Sequence, residues 1–442
     1  MTDEEASYKE ESLDYLHLTF SENVNFGQLE SPTTEGLLKI ASEGASTWNT
    51  WIAAYPQNII EFKSVNFSET NISFANFTFL NPDRSGLVVF IESKFKNGNF
   101  SKCNFSRATF LGCEFYDSTN FSNSTFLEPA NFLNCHFYSP SQFRNSRFWA
   151  PSGFYECQFA GNTDFSEAII PEIEFQLSKF EMDCNFSCAM PDESKKIRFS
   201  NFSGCEFSGL TTFLNRTFEG TCDFGIHPTI DASGKLLITR VIFKRAPIFH
   251  GCKFHQDTSF HLTIFKQEIG DDAARAYRTL KLAMEQMKAT REEQRFFRLE
   301  MKAERPYLPL TQQVPSMLYE WCSDYGFSIR RPLLALFLFS IAIGGIHGLL
   351  ANACADQPQC AASASPGTSD ERTSDLVKYV LVNIAPVPGL DKMQTELRKP
   401  LFGEHGGIAI AAILLEILHK IIALIMTFLF ALGLRNLFKM KS

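Results

Sequence analysis

Phenylalanine recurs every five or six residues through nearly half of this chain. Between residues 129 and 159 the gaps between the recurring phenylalanines are five, six, five, six and five. A β-strand repeats every two residues and an α-helix every 3.6, so neither period fits. An eleven-residue hydrophobic repeat can form a helical coiled coil, but Pro129, Pro140 and Pro151 recur at that same interval and would break a helix. The spacing therefore predicts a stack of short repeated units.

A small residue stands two positions before nearly every recurring phenylalanine. Ala130, Cys135 and Cys157 are examples, while Ile173 and Arg216 are exceptions. A large and a small side chain thus point to one interior, and the polar residue between them points outward. We interpret each unit as one side of a square coil, whose stacked copies bury a continuous phenylalanine ladder. Representative ladder residues are Phe105, Phe115, Phe132, Phe137, Phe148, Phe159, Phe207 and Phe254.

The units VNFSE, ANFTF and CNFSR resemble the consensus of the pentapeptide-repeat family, small–Asn/Asp–Leu/Phe–polar–polar. The resemblance implies an all-β fold, a right-handed quadrilateral β-helix. The six-residue steps depart from the family's strict five, and we interpret the extra residue as a bulged corner on two of the four sides. Family members often begin with a helix containing a Gly-x-x-x-Trp-Asn-x-Trp segment. Gly44, Trp48, Asn49 and Trp51 match it, so we expect a helical cap before the first coil.

Helix-forming residues replace the ladder from Asp271 onward. They predict a helical hairpin that seals the last coil, followed by two apolar segments long enough to span a bilayer. Arg330 and Arg331 precede the first apolar segment and basic residues also follow the second, so both termini are predicted to be cytoplasmic. The predicted regions are an acidic N-terminal segment with a helical cap (1–61), the β-helix (62–267), a cytosolic α-helical linker (268–328) and a membrane module (329–442). Within the membrane module, the predicted spans lie at about 332–352 and 408–434, and an outer loop, 353–405, joins them.

Two further features indicate where the protein is located. The segments 323–326, 328–332 and 433–436 resemble a recurring bacterial architecture of pentapeptide repeats, cytosolic helices and two membrane helices. This resemblance implies a multi-pass protein of the bacterial inner membrane. Eight cysteines occupy small inward positions of the ladder, which is typical of buried free thiols in a reducing compartment. We therefore expect the ladder region to lie in the cytosol.

Charge and motifs argue against several functions. The net charge of the chain is −8, and residues 1–61 alone carry −9. Residues 62–265 hold twenty acidic and eighteen basic residues, a net charge of −2, which argues against an acidic DNA mimic and against a basic nucleic-acid-binding stripe. The sequence contains no nucleophile motif, phosphate-binding glycine loop or paired-ligand metal motif. We therefore predict no enzymatic activity, no cofactor, no metal site and no nucleic-acid partner.

A short apolar stretch, 376–390, lies between the two predicted spans. The same order of segments is found in two-helix ion channels. Tyr379 lies near the start of the stretch, and Val387, Gly389 and Asp391 occupy roughly the positions of a channel filter. Two prolines replace the usual threonine run, so the chemistry of a potassium filter is absent. The stretch is either a re-entrant pore segment or a helix that lies on the outer leaflet.

The second predicted span contains Glu416, His419 and Lys420. Ionisable residues inside a membrane are functional candidates by default. Glu416 and Lys420 are spaced i, i+4 and can pair at the lipid interface. Alternatively, a ring of Glu416 carboxylates at a pore mouth would concentrate cations. Cys354 and Cys360, in the outer loop, are candidates for a disulfide.

Two functions follow from this organisation. In the first, the stacked β-helix forms a cytosolic rod that binds or senses a protein partner. This rod is coupled to a channel-like membrane module. Two helices cannot enclose a pore, so this function requires a homo-oligomer. In the second, the chain is a membrane-tethered scaffold that conducts no ions. In both, the predicted partners are the lipid bilayer and an unidentified cytosolic protein.

Overall fold

The phenylalanine-rich region forms a four-sided parallel β-solenoid. The structure is a computed structural model that describes residues 33–70, 72–230, 235–266, 269–356, 369–384 and 391–439. Each face of the solenoid is a sheet of short parallel strands contributed by successive coils. Every strand pairs with its equivalent in the next coil, so that phenylalanine is opposite phenylalanine along the axis, as in Phe110, Phe132 and Phe154. The predicted β-helix is therefore confirmed.

The faces are numbered in the order in which the chain visits them. Face 1 contains Ile59–Lys63, Leu87–Ile91, Arg107–Leu111, Ala130–Leu133, Ser152–Tyr155, Glu172–Glu174, Phe199–Asn201 and Cys222–Asp223. Face 2 contains Lys94–Phe95, Glu114–Phe115, His136–Phe137, Gln158–Phe159, Lys179–Phe180, Glu206–Phe207, Ile242–Phe243 and Ile264–Phe265. Face 3 contains Thr119–Asn120, Ser141–Gln142, Thr163–Asp164, Cys184–Asn185 and Thr211–Thr212. Face 4 contains Thr78–Phe79, Asn104–Phe105, Thr125–Phe126 and Arg147–Phe148.

Stacked aromatic rings fill the interior of the solenoid. In the column behind face 1, successive rings lie 4.5–5.4 Å apart and within 12° of parallel. That column consists of Phe62, Phe90, Phe110, Phe132, Phe154, Phe175, Phe202, Phe224 and Phe260. Of the representative ladder residues, only Phe254, near the C-terminal end of the stack, is half-buried rather than buried. The small inward cysteines lie beside the rings, and burial raises the pKa of thiols such as that of Cys205. These thiols therefore contribute packing rather than reactivity.

The corners of the coil explain why the sequence alternates between five-residue and six-residue steps. Five-residue corners contain a residue in the left-handed region, such as Asn134 and Asn145 with φ of 50° and 56°. Asparagine tolerates this conformation better than most residues with a side chain. Six-residue steps cross the other two corners, where Pro140 and Pro151 lie between strands. The extra residue thus occupies two of the four corners, in agreement with our interpretation of the spacing.

Helices cover both ends of the solenoid. The first end is covered by α1 (Thr34–Ser42) and α2 (Ala45–Ala54), and Trp48 of α2 is fully buried against Phe62 and Phe77. The Trp48 indole donates a hydrogen bond to the Thr78 carbonyl at 2.9 Å, closing the open strand edge. The other end is covered by α3 (Asp271–Gln286) and α4 (Thr290–Glu304). The predicted helical cap and hairpin are both present.

Two insertions interrupt the ladder where the sequence loses its period. One contains the 3₁₀ helix Glu193–Lys195, and the other is an antiparallel hairpin of Ile226–Ile230 and Leu236–Arg240. Two more 3₁₀ turns, Phe67–Glu69 and Arg305–Tyr307, lie outside these insertions. Stacking continues across both insertions, since Glu172–Glu174 pairs with Phe199–Asn201 and Glu206–Phe207 pairs with Ile242–Phe243.

Five helices follow the α3–α4 hairpin in the described part of the chain. They are α5 (Leu310–Ser323), α6 (Arg330–Ala355), α7 (Ser369–Ile384), α8 (Asp391–Phe402) and α9 (Gly407–Lys439). Two of them, α6 and residues 407–438 of α9, are long and apolar enough to cross a membrane. The predicted re-entrant stretch begins inside α7, and its remaining residues, 385–390, lie outside the described part of the chain. The acidic segment 1–32 also lies outside it.

Candidate functional site

A buried carboxylate lies where α9 meets α7 and α8 in the C-terminal module, which consists of α5–α9. Glu416 of α9 is only 7% exposed. The hydroxyl of Tyr379, on α7, donates a hydrogen bond to Glu416 Oε2 at 2.8 Å. Lys420 Nζ, one turn further along α9, donates to Glu416 Oε1 at 2.9 Å. One carboxylate oxygen therefore links α9 to α7, and the other is paired within α9.

A second cation approaches the same carboxylate from α8. Arg398 Nη1 lies 3.8 Å from Glu416 Oε2. Glu416, Lys420 and Arg398 together carry one negative and two positive charges, so the cluster has a net charge of +1. We call these three residues and Tyr379 the Glu416 cluster. A buried charge is stable only when it is paired and hydrogen-bonded, and this carboxylate has both kinds of partner.

Two buried histidines lie next to the Glu416 cluster. The ring of His347, on α6, packs edge-on against the Tyr379 ring with centroids 5.2 Å apart. His419 Nε2 lies 3.0 Å from the hydroxyl oxygen of Ser340, which links α9 to α6. Both histidines are fully buried. Within the described residues, neither ring nitrogen of His347 has a hydrogen-bond partner of good geometry. The interior of the module is therefore more polar than apolar helix packing requires.

The residues predicted from the sequence have different places in the structure. Four of them lie in or beside the Glu416 cluster, namely Tyr379, Glu416, His419 and Lys420. The sequence had suggested separate roles for the filter and for the second span. Val387 and Gly389 lie outside the described residues. Asp391 is the first residue of α8, and its side chain is not described. The predicted filter positions therefore stay a prediction.

The outer-loop cysteines are only partly described. Cys354, near the end of α6, is buried and disulfide-bonded. Its predicted partner, Cys360, lies outside the described residues, so the pairing stays a prediction.

Three polar residues of the site were missed by sequence reasoning. Arg398 and Gln394 lie on α8, a helix that the sequence did not predict. The amide of Gln394 donates to the side-chain oxygen of Asn383 on α7 at 2.5 Å, and both side chains are buried. The signal was the spacing of Gln394, Leu397, Arg398 and Leu401, which repeats at helical intervals. A proline at position 400 and several charges obscured it.

A junction of ion pairs connects the capping hairpin to the long helices. Glu320 of α5 meets Lys302 Nζ at 2.9 Å and forms a second ion pair with Arg305. Asp324, just after α5, accepts from Arg298 Nη1 at 2.7 Å. The junction therefore pairs three basic residues, in and just after the second half of α4, with two acidic residues at the end of α5. The last coil of the rod is thus fixed to the helix that precedes the first long apolar helix.

The pKa values of the junction reflect these pairs. Burial alone would raise the pKa of the Glu320 carboxyl, but the ion pairs with Lys302 and Arg305 outweigh it and lower the pKa below its ordinary value. The pKa of Arg305 is correspondingly raised, chiefly by its hydrogen bond to Glu320. The charged forms of both partners are therefore favoured in the folded protein.

The two ends of the C-terminal module meet at this junction. The side-chain amide of Asn436, on α9, donates to the Gly326 carbonyl at 3.0 Å. Gly326 has a φ of 79°, and a Cβ there would lie 2.9 Å from the Tyr319 hydroxyl, so both conformation and space favour glycine. Gly433 lies close to Ile329, where an added Cβ would be 3.1 Å from Ile329 Cγ2. The short motifs 323–326, 328–332 and 433–436 are therefore parts of one packed structure, and α6 and α9 run antiparallel.

The surface of the rod offers few enclosed sites. Among the described residues, no group of His, Cys, Asp and Glu side chains is arranged to hold a metal ion. The outer face carries a stacked pair of partly exposed tyrosines, Tyr116 and Tyr138, with ring centroids 5.2 Å apart. At another corner of the coil, the Asn145 amide donates to the Asn123 side-chain oxygen at 2.7 Å. Such a surface suits contact with another protein better than enclosure of a small molecule.

The fold and site define a phenylalanine-rich parallel β-solenoid joined to a helical module with two long apolar helices. Comparison with known families identifies the repeat itself. Residues 85–125 and 121–169 match the family described as pentapeptide repeats (9 copies), so the predicted family is confirmed for this part of the chain. No curated protein matches the chain.

Proposed function

We propose that the chain is a non-enzymatic, membrane-anchored scaffold that holds a protein-binding rod close to a bilayer. The observation that carries this proposal is the ion-pair junction between the α3–α4 hairpin and α5–α6. A rod fixed through several charged pairs at one end is held at a defined orientation, which a flexible linker would not provide. Two long apolar helices that follow directly provide the anchor.

The rod supplies the interaction surface of this scaffold. Solenoids of short repeats present long, regular faces, and their stability is distributed over nearest-neighbour contacts. A partner can therefore bind along the faces without disturbing the core. The exposed tyrosine pair, Tyr116 and Tyr138, is the part of the surface whose composition is most typical of a protein interface. The partner we propose is a cytosolic protein.

The proposed location is the bacterial inner membrane, with both termini in the cytoplasm. Arg330 and Arg331 at the start of α6 and Arg435 near the end of α9 lie at the same end of the module, which the positive-inside rule places in the cytoplasm. The described cysteines of the rod are free thiols, which is consistent with a reducing compartment.

Cysteine labelling in intact cells tests this arrangement. A reagent that cannot cross membranes should label single cysteines introduced into 361–370, and none introduced at exposed positions of 90–260. Full-length protein should also stay with the membrane fraction during alkaline extraction. Labelling of the rod from outside would overturn the orientation, and release by alkali would overturn the anchor.

Ion conduction is a second candidate function, and the Glu416 cluster favours it. Charged groups buried between long apolar helices are costly, and in membrane proteins they commonly mark ion pathways. A homo-oligomer would be needed, since two spans cannot enclose a pore. However, the Glu416 carboxylate is engaged by Tyr379 and Lys420 within one chain and is outnumbered by cations. A ring of these clusters would therefore attract anions, the opposite of what the carboxylate alone suggests.

A further inference from the structure

Helix α5 carries an exposed apolar stripe. The stripe consists of five large apolar side chains, each of which is more than half exposed. They are Leu310, Val314, Met317, Leu318 and Trp321, spaced i, i+4, i+7, i+8 and i+11. At about 100° per residue, these positions cover one side of the helix over roughly 100°. The stripe is therefore a continuous surface rather than scattered exposed residues.

The opposite side of α5 faces the protein, where Tyr319 and Cys322 pack with Ala335 and Met426 and polar side chains make further contacts. Ser316 and Ser323 are buried, and the Ser316 hydroxyl lies 3.1 Å from the Tyr325 hydroxyl. Glu320 is held by Lys302 and Arg305. A surface helix of a water-soluble protein has the reverse arrangement, with its apolar side packed on the core. Inward contacts of both kinds thus hold α5 with its larger apolar stripe outward, and an apolar surface of this kind indicates a binding partner.

The stripe is continuous with the outer surface of the first long helix. The Trp321 ring packs edge-on against Phe339 of α6 with centroids 6.0 Å apart. The Arg331 guanidinium, at the start of α6, donates to the Glu320 carbonyl at 3.0 Å. The end of α5 therefore lies beside the start of α6, where Arg330 and Arg331 form a basic flank. The medium that surrounds the exposed side chains of α6 therefore also contacts the Trp321 end of the stripe.

We propose that α5 lies in the lipid interface, with its apolar stripe inserted at the boundary between headgroups and acyl chains. This inference rests on the membrane anchor proposed above and adds a third lipid contact to it, in the leaflet at the Arg330 end of α6. Tryptophan at one end and adjacent arginines suit this boundary. With 14 residues, α5 is about 21 Å long and too short to span the bilayer. Because Glu320 ties α5 to the capping hairpin, insertion of the stripe orients the rod relative to the membrane.

The tryptophans of the chain provide a direct test. Of the four tryptophans, only Trp321 lies outside the rod and its N-terminal cap, and neither long apolar helix contains one. Full-length protein is reconstituted into phosphatidylcholine–phosphatidylglycerol vesicles with and without brominated acyl chains. Bromine quenches only tryptophans in contact with lipid. We expect bromine to quench only the fluorescence of Trp321, one tryptophan in four. This quenching should disappear completely in Trp321→Phe. Iodide should quench Trp149, which is 51% exposed, but not Trp321.

Each other outcome contradicts the inference. Quenching of Trp321 by iodide and not by bromine would place the stripe in water. Protection of Trp321 from both quenchers would place it against protein, for which a second copy of the chain is the candidate. Flotation of the vesicles separates this failure from failure of the anchor: protein that does not float with lipid overturns the proposed function and this inference together, whereas floating protein with an unquenched Trp321 overturns only the inference.

Two variants on opposite sides of α5 give a matched comparison. Met317→Glu places a carboxylate in the middle of the stripe, and we expect it to abolish most of the bromine quenching while flotation persists. Gln312→Glu adds the same charge at an exposed position on the opposite side and should leave quenching unchanged. Equal quenching in both variants would contradict the insertion of the stripe.

Discussion

Phe148 and Trp149 are neighbours in sequence but have opposite environments. Phe148 is fully buried and stacks on Phe126 at 4.6 Å, whereas Trp149 is 51% exposed. Phe148→Ala should lower the free energy of unfolding by about 3–5 kcal/mol, because it opens a cavity in the ring column. Trp149→Ala should lower it by less than about 1 kcal/mol. Urea unfolding followed by circular dichroism measures both, and equal losses would contradict the observed register.

Arg216 shows what the repeat pattern could not predict at the residue scale. It occupies a small inward position, and the sequence only marked it as an exception. In the structure its guanidinium is fully buried and donates to the carbonyls of Ala168 at 2.8 Å, of Phe165 at 3.2 Å and of Phe186. It also donates to the carbonyl of Lys195, in the insertion before this coil, at 3.3 Å, and a contact with an insertion is not encoded in a five-residue period.

The carbonyls around Arg216 give the second prediction. Arg216→Ala should lower the free energy of unfolding by about 2–4 kcal/mol, because buried acceptors lose their partners. Arg147→Ala, at an outward position, is the control and should change it by less than about 1 kcal/mol. A similar small effect for both variants in urea unfolding would show that the guanidinium contributes no net stability.

At the scale of elements, the sequence predicted those whose signal is local. The inward and outward residues of each side of the rod can be assigned within five positions. The long apolar helices can be recognised from the length of their apolar segments. The register of the rod and both long helices could therefore be predicted. Helix α8 could not, because its few buried positions, such as Gln394 and Leu401, are interrupted by charges. The Glu416 cluster depends on Tyr379 and Arg398, which are distant in sequence and meet only in the packed module.

The junction gives a prediction with a defined dependence on pH. The pKa of Glu320 is lowered in the folded protein from an ordinary value of 4.5. Its ion pairs therefore stabilise the junction fully above that ordinary pKa, and the stabilisation is lost as the pH falls through the lower folded value. Hydrogen exchange of the α5–α6 connection should accelerate as the pH falls below about 4, beyond the intrinsic pH dependence of exchange.

The matched variant for the junction is Glu320→Gln. It keeps the size of the side chain but removes the group that titrates. We expect faster exchange at neutral pH than in the unmodified protein, and a smaller additional change in acid. If Glu320→Gln and the unmodified protein show the same acid response, the titration of Glu320 does not control the junction.

At the scale of the whole molecule, the two regions obey different stabilising rules. The rod is stable through repeated nearest-neighbour stacking, so its faces tolerate variation as long as the ladder persists. The helical module contains buried charges that must all be satisfied together, which makes it sensitive to single changes. A rod that tolerates surface variation suits a partner-binding role, and a module with coupled charges suits either a rigid anchor or a pathway for ions.

The sign of ion selectivity separates these two roles. In planar bilayers, a pore lined by Glu416 clusters should favour anions, because each cluster carries a net charge of +1 within reach of the pathway. Glu416→Gln raises that charge and should increase the preference for chloride over potassium, measured from reversal potentials in a salt gradient. Lys420→Gln lowers it and should reduce the preference.

Lys378→Gln is the control for this experiment, since Lys378 is exposed on α7 and pairs with Asp375 outside the cluster. It should leave the reversal potential unchanged. A preference for cations in the unmodified protein, or equal shifts in all three variants, would exclude a pathway through the cluster. Purified protein that inserts into the bilayer and passes no current would leave the Glu416 cluster as a bond between helices. The anchor would then be what gives the rod its fixed position, as the scaffold proposal requires.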